Sequence, residues 1–132
     1  DGTIDHTGIA TSSLDESQQL WSILGFTQGE DQINSEEGVK IRFMNGNTST
    51  RIELLEPLGD DTPVGKFIAK YGPGIQQIAV RVADIEETIS VLLSVGVKMV
   101  SETPTLGADG HRIAFIHPSS AGGVLIELVE SD

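Results

Sequence analysis

Apolar and polar residues along the chain form short alternating runs separated by helical patterns. Ile4-Asp5-His6-Thr7-Gly8-Ile9-Ala10 has the alternation of a half-buried strand. Ser13 and Glu16 then stand at capping-box spacing. The following pattern predicts a helix to about residue 24, with Leu20, Trp21 and Leu24 on its buried face, and Gly25 ends it. Three strands are expected next, over 26–30, 39–44 and 50–55, with Asn45-Gly46-Asn47 as the turn between the last two.

The same order then returns. Residues 75–82 form a strand pattern, and Asp84 and Glu87 repeat the cap spacing. Ile85, Ile89, Leu92 and Leu93 make a helical stripe, and Gly96 stops it. Strands are expected over 97–101, 112–117 and 124–129. An offset of 71 residues aligns His6 with Gln77, Leu14 with Ile85 and Gly25 with Gly96. An offset of 74 aligns Ile52-Glu53-Leu54-Leu55-Glu56 with Ile126-Glu127-Leu128-Val129-Glu130. Such internal duplication points to repeated modules. The expected fold is α+β: one domain, residues 1–132, made of two βαβββ modules whose concave sheets meet. Module 1 covers about 1–56, a linker 57–73, and module 2 about 74–132. The linker holds Pro57, Gly59, Pro63, Gly72 and Pro73. It also carries a short helical pattern, Val64, Phe67, Ile68 and Tyr71, with Gly72 as its stop.

Charge narrows the partners. Eight Lys and Arg against 20 Asp and Glu give a net charge of −12, which argues against nucleic acid and anionic membrane surfaces. There is no cysteine, so disulfides and thiolate chemistry are unavailable. No apolar run approaches the roughly 20 residues of a membrane span. The chain opens on Asp1, which is compatible with a processed targeting segment.

The duplication gives four polar residues a shared meaning. His6 and Gln77 lie at matched module starts, and Glu53 and Glu127 interrupt matched apolar strands. A carboxylate inside an apolar strand is costly unless paired, protonated or metal-bound. Singly, the His suits a strand start, the Gln a hydrogen-bonding role and the acids a sheet edge. Together at the pseudo-twofold centre they supply an imidazole, an amide oxygen and two carboxylates. That set suits a divalent ion such as magnesium, manganese, cobalt, nickel, zinc or iron. The other polar features are a glycine-rich loop, Leu106-Gly107-Ala108-Asp109-Gly110-His111, and a cationic set of Lys66, Lys70 and Arg112. His111 and His117 are expected at loop and strand-end positions.

The chain resembles the vicinal oxygen chelate (glyoxalase/bleomycin resistance) superfamily, most closely its methylmalonyl-CoA epimerases. The resemblance is carried by residues 5–10, Ile52-Glu53-Leu54-Leu55-Glu56-Pro57-Leu58-Gly59, Leu106-Gly107-Ala108-Asp109-Gly110, and Phe115-Ile116-His117-Pro118 through Gly122–Leu128. It implies metal-dependent epimerisation of methylmalonyl-CoA, or of a similar 2-substituted malonyl-CoA, through an enolate. It places His6, Glu53, Gln77 and Glu127 on metal-ligand positions and gives Glu127 a part in proton transfer. It further implies an acyl-CoA substrate, a homodimer, and a cytoplasmic location, or the mitochondrial matrix in a eukaryote.

Three positions depart from that family's pattern. Gly74-Ile75-Gln76-Gln77-Ile78 stands where Gly-x-His-His-Ile is common. Ile41 occupies a position where many bacterial members carry a glutamate, and Ser119 one where many carry lysine. The departures leave the second proton-transfer base unassigned. They keep two alternatives in view: a glyoxalase I-type lactoylglutathione lyase, and a non-catalytic member that binds a small ligand.

Overall fold

The computed structural model describes residues 2–107 and 110–131. The chain divides into two compact units, His6–Gln76 and Asp1–Asp5 with Gln77–Asp132. Each has the βαβββ order that the duplicated pattern predicts.

The first unit takes strand β1 (Ile4–Ala10) from His6 onward, which leads to helix α1 (Leu14–Ile23), followed by β2 (Thr27–Asn34), β3 (Val39–Asn45) and β4 (Arg51–Pro57). β1 runs parallel to β4, while β4 with β3 and β3 with β2 are antiparallel, giving the order β2-β3-β4-β1. The Ser13 hydroxyl accepts the Glu16 N–H at 3.2 Å, so the expected cap forms. Leu14, Met44, Ile52 and Leu54 build the core under α1, joined by Ile9, Trp21 and Phe26. Trp21 meets Phe26 edge-on with centroids 5.3 Å apart.

The expected buried face of α1 needs correction, because Leu20 and Leu24 are exposed. Leu14 and Trp21 lie two turns apart and take the sheet-facing position. Leu20 sits about 100° around the helix from Trp21 and faces outward. Strand β2 is longer than expected and carries a bulge between Gln28 and Asp31.

Arg42, buried on β3, braces this unit. Its Nε and Nη2 donate to the two Asp31 oxygens at 2.8 Å each, and Nη1 donates to Asp15 at 2.7 Å and Gln18 at 2.8 Å. One guanidinium thus ties the edge strand to α1. The linker pattern folds as helix α2 (Pro63–Tyr71), capped by Thr62 and followed by Gly72. A Cβ on Gly65 would lie 2.3 Å from the Gly59 carbonyl oxygen, so only glycine lets α2 close on the preceding loop.

The second unit repeats the plan with β5 (Gly74–Val82), helix α3 (Ile85–Ser94), β6 (Thr105–Leu106), β7 (Arg112–Ile116) and β8 (Leu125–Glu130). β5 is parallel to β8, and β8-β7-β6 are antiparallel. The Asp84 carboxylate accepts the Glu87 N–H at 3.1 Å. Ile85, Ile89, Met99, Ala114 and Leu128 form this unit's helix-facing core. Thr3 and Asp5 also belong to this unit: the Thr3 carbonyl accepts the Arg81 N–H, and Asp5 accepts from Arg81 Nε, both at 2.9 Å.

The strand expected over 97–101 is reduced to a single bridge between Met99 and Ile116, and the edge strand is β6 instead. Met99 turns into the core, and Pro104 lacks the N–H that a continuous ladder needs. Of the glycine-rich loop, Ala108 and Asp109 lie outside the described residues. No helix among the described residues is long and apolar enough to cross a membrane.

The details of the repeat follow the two sequence offsets. Gly25 and Gly96 end the equivalent helices at φ +101° and +86°, a left-handed conformation that glycine adopts without steric cost. The last acid of each duplicated phrase caps the unit's helix: Glu56 accepts the Leu14 N–H at 3.1 Å and Glu130 the Ile85 N–H at 3.0 Å.

Asp31 gives a test of the brace. The hydrogen bond from Arg42, with its positive charge, holds the Asp31 carboxyl below the ordinary 3.8 against the opposing effect of burial. A depressed folded-state pKa contributes stability above the unfolded value, and this is lost as pH falls through the folded value. Asp31→Asn should therefore lower the thermal midpoint at neutral pH by about 2–6 °C. The gap to wild type should narrow as pH falls below the ordinary carboxyl value of 3.8 in differential scanning calorimetry.

Candidate functional site

The structure places the four candidate residues as two pairs, one within each unit. In the first, His6 Nδ1 lies 3.2 Å from Glu53 Oε2, and both side chains are buried. In the second, Gln77 Nε2 donates to Glu127 Oε1 at 2.8 Å, again buried. The two pairs have the same origin in the sheet. Parallel pairing sets Gly8 opposite Glu53 on β1 and β4, and Ala79 opposite Glu127 on β5 and β8. His6 and Gln77 stand two residues before Gly8 and Ala79, so each shares a sheet face with its glutamate.

Other neighbours repeat as well. Antiparallel pairing sets Phe43 opposite Glu53 and Phe115 opposite Glu127. Each carboxylate is therefore flanked by a phenylalanine on one side and a residue with little or no side chain on the other. Gly8 and Ala79 leave room above the parallel strand, while the phenylalanines exclude water. Such surroundings penalise an unpaired charge.

The donors fit a divalent cation by their chemistry. The first unit offers a buried imidazole and carboxylate, and the second a buried carboxylate and an amide. The Gln77 N–H bond to Glu127 leaves the amide oxygen, its metal-binding atom, on the other side of the group. Nitrogen and oxygen donors of this kind suit hard-to-borderline ions.

Arg51 was not among the residues singled out from the sequence. Its Nη2 lies 3.2 Å from Glu53 Oε2 and 3.4 Å from His6 Nδ1. Its guanidinium carbon sits 5.0 Å from the Phe43 ring centroid. The available signal was its spacing: two residues before Glu53 on one strand puts both side chains on the same face.

Ile41 lies on that same face, two residues from Phe43, and is buried and apolar where the resemblance led to an acid. His117 is a cap, its Nδ1 accepting the Ser119 N–H at 3.0 Å. Arg112 bonds Glu130 at 2.9 and 3.0 Å and Glu86 at 3.2 Å, which gives it a bracing role.

Two βαβββ units, each with a buried glutamate on its last strand, define a duplicated α+β protein of the vicinal oxygen chelate type. Residues 5–115 match the family model of the glyoxalase/bleomycin resistance protein/dioxygenase superfamily, and the chain belongs to that superfamily. The mitochondrial methylmalonyl-CoA epimerase of Dictyostelium discoideum is 39% identical over 131 residues, covering 98% of this chain and 78% of that protein. The crystal structure of methylmalonyl-CoA epimerase from Mycobacterium tuberculosis superposes with a TM-score of 0.92 at 40% identity, covering 98% and 87% of the two chains. A methylmalonyl-CoA epimerase in complex with methylmalonyl-CoA and NH4+ superposes with a TM-score of 0.90 at 36% identity, over 97% and 93%.

The second pair can be tested by stability. Gln77→Leu removes a donor from a buried carboxylate and should cost roughly 1–3 kcal/mol. Adding Glu127→Leu should recover part of that loss, because the charge that needed the donor is gone. Urea denaturation of the single and double variants measures the coupling.

Proposed function

We propose that the chain is an epimerase of methylmalonyl-CoA or a similar 2-substituted malonyl-CoA, and that His6, Glu53, Gln77 and Glu127 together hold a divalent cation. The observation that carries the metal reading is the matched pair of buried acids at equivalent sheet positions. Two carboxylates balance a 2+ charge, which gives a reason for keeping both inside apolar surroundings. The epimerase names of relatives that match 98% of this chain support the substrate class and favour this reading over the lyase and binding alternatives.

The hydrogen at the carbon between thioester and carboxylate is acidified by both carbonyl groups. A divalent cation at the site supplies positive charge that stabilises the enolate oxygen. Glu127 is the proton acceptor: its carboxylate takes the C2 proton as the C–H electron pair moves into the enolate. The Gln77 N–H bond at 2.8 Å orients the Glu127 carboxylate. Phe115, opposite Glu127, shields the proton in transit from bulk water. Reprotonation on the other face of the enolate inverts the centre. With Ile41 apolar, that proton comes from a donor other than this position, so solvent hydrogen should appear at C2.

Turnover of racemic methylmalonyl-CoA in deuterated water, followed by proton NMR at C2, tests the reading. Wild type should exchange the C2 proton faster when a divalent ion is added. Glu127→Gln should reduce exchange by at least about 100-fold, the scale of losing a positioned base. Wild-type exchange by that variant would remove Glu127 from the mechanism. Gln77→His should tighten metal binding, since imidazole is the stronger donor for late first-row ions. Turnover of the glutathione hemithioacetal, without any acyl-CoA exchange, would replace epimerisation by the lyase reading.

We also read the chain as a homodimer working in an aqueous compartment, the cytoplasm or mitochondrial matrix. Leu20, Ile23 and Leu24, 58%, 83% and 59% exposed on one end of α1, support association through apolar surface. Multi-angle light scattering at micromolar concentration should give twice the 14.0 kDa chain mass, and a 14.0 kDa species would reject the dimer.

A further inference from the structure

The two glutamates differ in one respect that the repeat makes visible. At the position level with His6, β4 carries Arg51; at the equivalent position, level with Gln77, β8 carries Leu125. The second unit builds the same sheet with an apolar residue there, so the fold does not demand an arginine. Arg51 instead brings a fixed positive charge to one module's acid.

Its contacts describe a cation in a ready-made seat. The guanidinium reaches Glu53 at 3.2 Å and His6 at 3.4 Å, the two groups read above as metal ligands. Phe43 offers its ring face 5.0 Å from the guanidinium carbon, a favourable arrangement for a cation. The Arg51 side chain keeps 23% of its surface exposed, while Glu53 keeps 8%. Arg51 can therefore leave toward water, whereas Glu53 cannot follow it.

We infer that Arg51 is a resident counter-ion of the His6–Glu53 pair: it occupies Glu53 in the metal-free protein, is displaced when a divalent cation binds, and thereby lowers the site's metal affinity. This rests on the metal reading of His6 and Glu53. A divalent ion at Glu53 must either displace the guanidinium or sit beside it, and both routes oppose binding. Without Arg51, the buried acid would lose a full compensating charge before metal arrives, so the arginine stabilises the metal-free fold. Leu125 exerts no such effect on the other glutamate.

The experiment is calorimetric titration of the full chain with Zn2+, comparing wild type, Arg51→Gln and Arg51→Lys. Arg51→Gln should bind Zn2+ roughly tenfold more tightly, while Arg51→Lys, which retains the charge, stays near wild type. The metal-free Arg51→Gln protein should also melt at a lower temperature than wild type, and saturating Zn2+ should narrow that gap. If wild type binds Zn2+ and folded Arg51→Gln binds it equally or more weakly, the counter-ion role is overturned and the metal site stands. If wild type takes up no Zn2+, the metal reading falls and this inference with it. Should Arg51→Gln not fold, NMR of the wild-type Arg51 side chain decides. Zn2+ should shift its Nε–H signal and speed its exchange with water, and an unchanged signal overturns displacement.

Discussion

A carboxylate held inside an apolar β-strand is the constraint on which each half of this protein is arranged. Glu53 and Glu127 lie 6% exposed, beside a phenylalanine on the antiparallel neighbour and Gly8 or Ala79 on the parallel one. Every other feature of the two sites answers that burial. His6 and Gln77 bring polar atoms to the acids from the parallel strand, and the small residues leave room above them. The helices pack on the opposite face, where Leu54 and Leu128 alternate with the acids to fill the cores. One strand thus carries both the hydrophobic driving force and the chemistry, separated by the two-residue period of the pleat.

The duplicated phrase assigns its two acids different tasks. The first glutamate faces the site. The last, Glu56 or Glu130, faces the helix side and receives the first N–H of α1 or α3. Position within the phrase, more than residue type, decides which acid is structural. Arg112 reinforces the cap in the second unit by pairing with Glu130, whose carboxyl it holds below the usual range. Arg42 instead binds Asp31 and Asp15, so the two units brace their helices by different ion pairs within a common plan.

Much of this was legible in the chain itself. The helix caps at Ser13 and Asp84, the stops at Gly25 and Gly96, and the offsets that align His6 with Gln77 all follow from local chemistry. They reappear as strand register. Two readings failed where tertiary packing outweighed local pattern. Leu20 and Leu24 satisfy a helical stripe, yet Leu14 and Trp21 already fill the space above the sheet. Residues 97–101 have strand composition, yet Met99 is drawn under α3 and Pro104 breaks the ladder. Arg51 carries little signal of its own in the sequence, because a lone arginine two residues from an acid has the pattern of solvated charge. Only the register of β1 against β4 sets it level with His6.

His6, Glu53, Gln77 and Glu127 are proposed as the ligands of a divalent ion. Anomalous diffraction from crystals of the cobalt-loaded protein tests this proposal most directly. One anomalous peak per chain is expected, with a His6 nitrogen and oxygens of Glu53, Gln77 and Glu127 all within about 2.0–2.6 Å. A peak served by only one of the two pairs, or one lying away from all four residues, would contradict the proposal.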